Sequence, residues 1–278
     1  MTQNKSLAFI GGGNMARSLI GGLLQNGWPA DTITISDPDP DQPARLYQLD
    51  PGLTVLSDNQ QATRQADVII LAVKPQILQP VCRELSAALG DRRPLLISIA
   101  AGVRTEDIDR WSGGGLPIVR CMPNTPALVQ SGATGLFANA AASDEDKALA
   151  ETLMRAVGTT VWVANEQQLD AVTALSGSGP AYFFLVIEAM QAAGEKLGLP
   201  ADIARLLSIE TAFGAAKLAL ESNDDPATLR QRVTSKGGTT ERALEVLEAG
   251  HIRTLFNDAL EAASQRAEEL AEQLGKDQ

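Results

Sequence analysis

The sequence predicts an α/β protein in which a doubly wound parallel sheet is followed by an all-helical half. Three observations predict it. Short apolar runs alternate with helical patterns over the first 165 residues. A glycine cluster stands directly behind the first run. Past Asn165 no β-branched run reads as a strand. The 278 residues suffice for two medium domains, so the chain divides into 1–165 and 166–278.

Leu7-Ala8-Phe9-Ile10 is the first strand, and Asn14 to Asn26 follows as a helix with Met15, Leu19, Ile20, Leu23 and Leu24 on one face. Thr32 to Ser36 alternates as a short strand. Val68 to Val73 is apolar throughout, as a parallel strand covered on both faces must be. Pro75 opens a helix with Leu78, Val81, Leu85 and Leu89 on its face. Leu95–Ile99 and Ile118–Cys121 are further strands, and Val161–Val163 is the last. Ser143 followed by Asp146 makes a helix-starting box between them. In the second half, helices are expected over Ala181–Leu197, Ala201–Glu221, Pro226–Arg232, Thr240–Leu247 and Ile252–Leu274. The first of these carries Tyr182 to Ile187, which is apolar nearly all round. Such a helix needs walls on most sides, and a second protomer would supply them, so a homodimer is expected; the competing reading is a helix packed centrally within its own domain.

Composition narrows the function. Hydrophobic residues make up 44%, enough for a core, and no run of about 18 apolar residues suggests a membrane span. Against 34 acids stand 23 bases, a net charge of −11. That excludes a basic nucleic-acid surface and an anionic-membrane surface as partner classes. The two cysteines, Cys82 and Cys121, are too few for a disulfide scaffold and have no metal spacing, so no metal site is expected. A reducing, cytoplasmic compartment is the simpler reading.

Gly11-Gly12-Gly13-Asn14-Met15-Ala16 fits G-x-G-x-x-A between a strand and a helix. Gly11 allows the tight turn, Gly13 lets a pyrophosphate approach the backbone, and Ala16 lets the helix pack on the strand. The first half is therefore a Rossmann-like dinucleotide-binding domain. Asp37 ends the next strand, where an acid would bind the adenosine ribose and repel a 2′-phosphate. Ser36 and Thr34 could instead serve a phosphate, and Asp37 could simply start the turn Asp37-Pro38-Asp39-Pro40. NADH is favoured and NADPH stays open.

Far downstream stands Val233-Thr234-Ser235-Lys236-Gly237-Gly238-Thr239-Thr240, just ahead of a helical pattern. Hydroxyls and glycines at a helix start form a cradle of N–H groups for a small anion. Its lysine precedes the glycines, so it is not a P-loop. Plain helix capping by Ser235 or Thr240 is the competing reading.

With both ends in view, the chain resembles the Δ1-pyrroline-5-carboxylate reductases, which perform the last step of proline synthesis. The resemblance rests on Phe9–Ala16, Ala72-Val73-Lys74-Pro75-Gln76, Ser98-Ile99-Ala100-Ala101-Gly102, Arg120–Ala127, Ser176–Tyr182 and the octapeptide, and it spans essentially the whole chain. It implies a Rossmann-like domain followed by an all-helical dimerisation domain, often in an assembly of five dimers. It implies reduction of pyrroline-5-carboxylate to L-proline with NADH or NADPH. Gly11, Gly13, Asn14, Met15, Ser36, Asp37, Asn59, Ala72, Val73, Lys74 and Pro75 would line the cofactor. Ala100, Ala101, Gly102, Met122 and Asn124 would lie near its nicotinamide. Ser235, Gly237, Gly238, Thr239 and Thr240 would hold the substrate, reaching in from the partner subunit. Lys236 stands where the family often has proline, which loosens the loop.

A protonated cyclic imine is already electrophilic at carbon, so no strong protein acid is required. The single histidine, His251, follows Gly250 at a helix junction and reads as a capping or surface residue. Catalysis is therefore expected from positioning and electrostatics, with the substrate carboxylate on the N–H groups of Gly238, Thr239 and Thr240. Thr240 Oγ is the candidate to bond the imine nitrogen. Ser176-Gly177-Ser178-Gly179-Pro180 reads as a helix start, not a nucleophile elbow. Two alternatives remain: a related imine or β-hydroxyacid dehydrogenase, and a non-catalytic dinucleotide sensor.

Overall fold

The structure, a computed structural model, describes residues 5–276. Its contacts group the chain into two compact units, one up to Gly177 and again from Ala263 onward, the other Ser178–Ala262.

The first unit is built on eight strands: β1 (Leu7–Ile10), β2 (Ile33–Ser36), β3 (Thr54–Leu56), β4 (Val68–Leu71), β5 (Leu95–Ser98), β6 (Ile118–Met122), β7 (Gly132–Ala138) and β8 (Gly158–Trp162). They lie in the order β3-β2-β1-β4-β5-β6-β7-β8. The first six are parallel; β7 turns back against β6, and β8 runs alongside it. The order reverses at β1 and β4, which is where doubly wound sheets bind ligands.

Strand side chains alternate between two apolar layers. Leu7 and Phe9 face one core, with Leu19, Ile20 and Leu23 of α1 (Asn14–Gln25). Ala8 and Ile10 face the other, with Leu78, Cys82 and Leu85 of α4 (Leu78–Leu89). Each buried Leu or Ile contributes about 1.5–3 kcal/mol relative to exposure. Between these elements lie α2 (Gln42–Tyr47) and α3 (Asn59–Thr63); α5 (Thr105–Trp111), α6 (Asp144–Arg155) and α7 (Gln168–Val172) follow. The box expected at Ser143 is present: Asp146 N–H donates to Ser143 Oγ at 3.1 Å, and Ser143 N–H donates to Asp146 Oδ2 at 2.9 Å.

Two strands escaped the sequence reading. β3 is a three-residue edge strand, too short for a period to register. β7 reads Gly-Ala-Thr-Gly-Leu-Phe-Ala, without a β-branched run. Its Gly135 is written for contact: a Cβ there would lie 2.7 Å from Val172 Cγ1 of α7. Two smaller departures concern ends. Asp37 lies one residue past β2, and Pro75 opens a 3₁₀ turn, Pro75–Ile77, ahead of α4.

The second unit contains α8 (Gly179–Lys196), α9 (Ala201–Glu221), α10 (Pro226–Arg232), α11 (Thr239–Ala249) and the start of α12 (Ile252–Leu274), whose later turns belong to the first unit. The change of texture read at residue 165 follows the end of the sheet at Trp162; the contacts divide the chain later, after Gly177, because α7 packs on β7. α8 and α9 pack closely where Gly194 meets Ala204, a Cβ at Gly194 standing 3.3 Å from Ala204 Cβ. Ala204 and Ser208 are buried, yet Phe183, Phe184 and Leu185 are each 66% exposed. The unit therefore has almost no core of its own. One helical stretch among the described residues, Gln168–Lys196, is by length and composition apolar enough to cross a membrane, contrary to the expectation that none is; only 17% of its most apolar part is buried.

Candidate functional site

The residues expected at the cofactor come from one edge of the sheet, the carboxyl ends of its parallel strands. Gly11 and Gly13 follow β1, Asp37 follows β2 and Asn59 begins the helix after β3. Ala72 to Pro75 follow β4, Ala100 to Gly102 follow β5, and Asn124 follows β6. Gly11 turns at φ +100°, and a Cβ there would stand 2.7 Å from the Ala72 carbonyl oxygen. Only glycine lets the two strand ends approach this closely. Gly13 is the N-cap of α1, with no side-chain cap, and a Cβ on it would meet nothing within 4 Å. Open space beside the uncapped N–H groups of a helix start suits a pyrophosphate. The residues present therefore fit a dinucleotide.

Asp37 is already engaged. Gly12 N–H donates to its Oδ2 at 2.7 Å and Asp39 N–H to its Oδ1 at 2.9 Å. The carboxylate thus ties the glycine loop to β2 and starts the turn as well. Ser36 is buried: its carbonyl accepts the Gly11 N–H at 2.8 Å, and its hydroxyl is enclosed without a partner. Asn14 is exposed and accepts from Arg17 at 2.6 Å; Met15 is half-buried against the first core. Asn59 Nδ2 donates to Glu84 Oε2 at 3.0 Å. Val73 packs on the second core, while Lys74 is exposed.

At the far end of the edge, Ala100 is buried and Ala101 exposed. Gly102 lies under α12, a Cβ there being 3.3 Å from Leu274 Cδ1. Asn124 has both ends of its amide occupied. Nδ2 donates to the Ser176 carbonyl at 2.9 Å, and Oδ1 accepts the Ala133 N–H at 2.9 Å. Ser176 belongs to a π-helical turn, Thr173–Gly177, a form that recurs at functional sites. Met122 touches the same turn, its Cε 2.7 Å from where a Gly177 Cβ would be. Asn124 and Met122 therefore brace this turn against β6, a role the sequence motif did not reveal.

The octapeptide runs from the end of α10 into the first turn of α11. The N-cap of α11 is Gly238, without a side-chain cap. Neither Ser235 nor Thr240 is a cap, so the competing reading fails on geometry. Thr239 and Thr240 are the first two helical residues, and their N–H groups have no intrahelical partner. Gly238 N–H, expected to meet the substrate, instead donates to the Ser235 carbonyl at 3.0 Å. Ser235 Oγ sits against Gly238, 2.5 Å from where a Cβ would be. Glu241, unremarked in the sequence, accepts the Gly237 N–H at 2.6 Å. The spacing Gly238-x-x-Glu241, a cap position with an acid three residues on, was its available signal.

One buried charged cluster lies away from these residues. Arg120, 2% exposed, pairs with Glu166 at 3.1 Å and Asp170 at 3.9 Å; Glu166 also accepts the Thr105 N–H and hydroxyl, each at 2.8 Å. Burial pushes the Asp170 carboxyl up, against the pull of Arg120. Burial also raises the Cys82 thiol to about 11, which leaves it protonated and inert. A hollow of about 610 Å³ bordered by Lys5, Asp67, Arg92 and Glu145 lies at the amino ends of β4 and β5, opposite the glycine loop. His251 is exposed at φ +57°, the corner between α11 and α12.

A family model described as pyrroline-5-carboxylate reductase dimerisation matches residues 166–270, and one described as NADP oxidoreductase, coenzyme F420-dependent, matches 6–102. The chain thus carries a self-association domain. It is 51% identical to a pyrroline-5-carboxylate reductase of Pseudomonas aeruginosa over 97% of this chain and 98% of that one. It is 38% identical to one of Pisum sativum over 98% of each. Among solved structures, a pyrroline-5-carboxylate reductase of Coxiella burnetii superposes with a TM-score of 0.92 at 48% identity, covering 96% of this chain and 98% of that one. The Plasmodium falciparum enzyme, solved with NADP bound, gives 0.85 at 28% identity, covering 97% and 99%. Together with the eight-stranded sheet and the helical half, these likenesses make the chain a member of the pyrroline-5-carboxylate reductase family.

Proposed function

We propose that the protein reduces 1-pyrroline-5-carboxylate to L-proline with NADH or NADPH, the final step of proline synthesis. The observation that carries the reading is the start of α11: an uncapped N-terminus headed by glycine, with the Thr240 hydroxyl making no hydrogen bond among the described residues. The N–H groups of Thr239 and Thr240 and the positive end of the helix hold the substrate carboxylate. Thr240 Oγ orients the imine nitrogen, and Ser235 and Gly237 shape the rim. The imine enters protonated, so the chain need supply no acid; its residues orient and stabilise.

At the other end, the uncapped start of α1 holds the pyrophosphate over Gly13. Asp37, at the carboxyl end of β2, faces the ribose, which favours NADH. The dinucleotide, when bound, supplies the hydride that the imine carbon accepts. The functional boundary is proposed at residue 165, supported by the end of the sheet at Trp162 and the start of the dimerisation match at 166. The assembly is proposed as a homodimer joined through the bare apolar faces of α8 and α9, repeated as five dimers by the resemblance. A cytoplasmic location is supported by two free, buried cysteines.

The test is a steady-state assay with pyrroline-5-carboxylate against NADH and NADPH in parallel. Thr240→Ala should lower turnover about tenfold or more, the loss of one bond to a charged group, while NADH affinity stays near wild type. Turnover of a 2-keto acid or a semialdehyde in place of the imine would overturn the substrate assignment. Tight NADH binding without any turnover would make the protein a sensor.

A further inference from the structure

The turn ahead of α11 is closed by a backbone hydrogen bond and held by a second bond to a carboxylate. Ser235-Lys236-Gly237-Gly238 is a four-residue turn, with Gly238 N–H donating to the Ser235 carbonyl at 3.0 Å. Its third residue, Gly237, has φ +72°. A positive φ at that place marks a type II turn, whose second position favours proline because the ring presets φ. Lys236 fills that second position and brings no such restraint. Its N–H makes no hydrogen bond among the described residues, so a proline ring there would break none. What holds the turn is Glu241, the third residue of α11, whose Oε2 accepts the Gly237 N–H at 2.6 Å. Its carboxylate also complements the positive end of the helix.

We propose that Glu241 is a positioning residue for the substrate loop: its carboxylate fixes the turn that a proline at 236 would stiffen covalently. The Thr239 and Thr240 N–H groups then stand in place before substrate arrives, and less ordering entropy is lost on binding. The inference rests on the reading of the octapeptide as the substrate's seat.

The experiment compares wild type, Glu241→Ala, Glu241→Gln, Lys236→Pro and the double variant Lys236→Pro/Glu241→Ala as full-length enzymes, with Thr240→Ala alongside. Glu241→Ala should raise KM for pyrroline-5-carboxylate about fivefold, the worth of one modest hydrogen bond. Its kcat and its KM for NADH should stay within about twofold. Glu241→Gln keeps an acceptor and should match wild type. The double variant should fall within about twofold of Lys236→Pro alone, since the ring replaces the bond. If Glu241→Ala does not fold, Glu241→Ser, too short to reach back, takes its place. An unchanged KM in the alanine variant, or a raised KM that Lys236→Pro fails to restore, overturns the proposal. So does a KM lowered in both Glu241 variants, which would make the carboxylate a competitor of the substrate. If Thr240→Ala is impaired and Glu241→Ala is not, only the role of Glu241 fails. If both leave the substrate kinetics unchanged, the octapeptide is not the substrate's seat.

Discussion

Replacing Asn124 with alanine separates two roles for that side chain. As a cofactor ligand it would matter only when the dinucleotide is bound. As a brace it matters to the folded protein itself. Its amide donates to the Ser176 carbonyl and accepts from the Ala133 N–H, both at 2.9 Å, and only 9% of the residue is exposed. One neighbour is an acceptor and the other a donor, which also fixes which way the amide points. Truncation leaves a carbonyl and an N–H without their partners, at about 1–3 kcal/mol each where water cannot replace them. Ser176 and Ala133 are half-buried, so the lower part of the range applies, roughly 2–4 kcal/mol in all. For a chain of this size that is a fall in melting temperature of about 5–10 °C. The assay is a thermal melt without ligand, paired with a fluorescence titration of NADH. Asn124→Asp should fare no better, because it sets a carboxylate oxygen against the Ser176 carbonyl. An unchanged melt together with a tenfold loss of NADH affinity would refute the brace and favour a contact of Asn124 with the cofactor.

Two further outcomes follow from two carboxylates of the first unit, Asp37 and Asp170. Asp37→Ser removes the carboxylate that would repel a 2′-phosphate, so the NADPH to NADH ratio of kcat/KM should rise about tenfold; a ratio that stays put would leave Asp37 only as the anchor of Gly12. Asp170 has its carboxyl raised by burial, so the folded state takes up a proton that the unfolded state does not, and wild-type stability from this group increases as pH falls through the carboxylate range. Asp170→Asn copies the protonated form. Its melting temperature relative to wild type should therefore be more favourable at pH 7 than at about pH 4, and a difference that grows on acidification would contradict the assignment.

The sheet was legible wherever strands were covered on both faces, because full burial writes an unbroken apolar run, as at β4 and β5. It was illegible at β7, where close packing against α7 replaces side chains with glycine and erases the strand's signature. The glycine loop announced itself through Gly11, whose conformation almost no other residue accepts. The bracing role of Asn124 did not, since an asparagine that bonds two backbone groups from distant segments leaves no local period. Glu241 lay between these cases: its spacing from Gly238 is a local rule, but the acid could as easily have been a solvated helix charge. The octapeptide pointed to an anion, and geometry removed the capping alternative by placing the cap at Gly238.

The bare faces of α8 and α9 have a consequence for how the chain lives before it meets its like. A helical half that buries little beyond Ala204 and Ser208 has no hydrophobic reason to persist alone. If the proposed homodimer forms through these faces, its folding and its association are one reaction, second order in chain. Dilution acts on it as heat acts on an ordinary monomer, and its midpoint of unfolding moves with the amount of protein in the tube. For this half of the molecule, concentration is a coordinate of the fold.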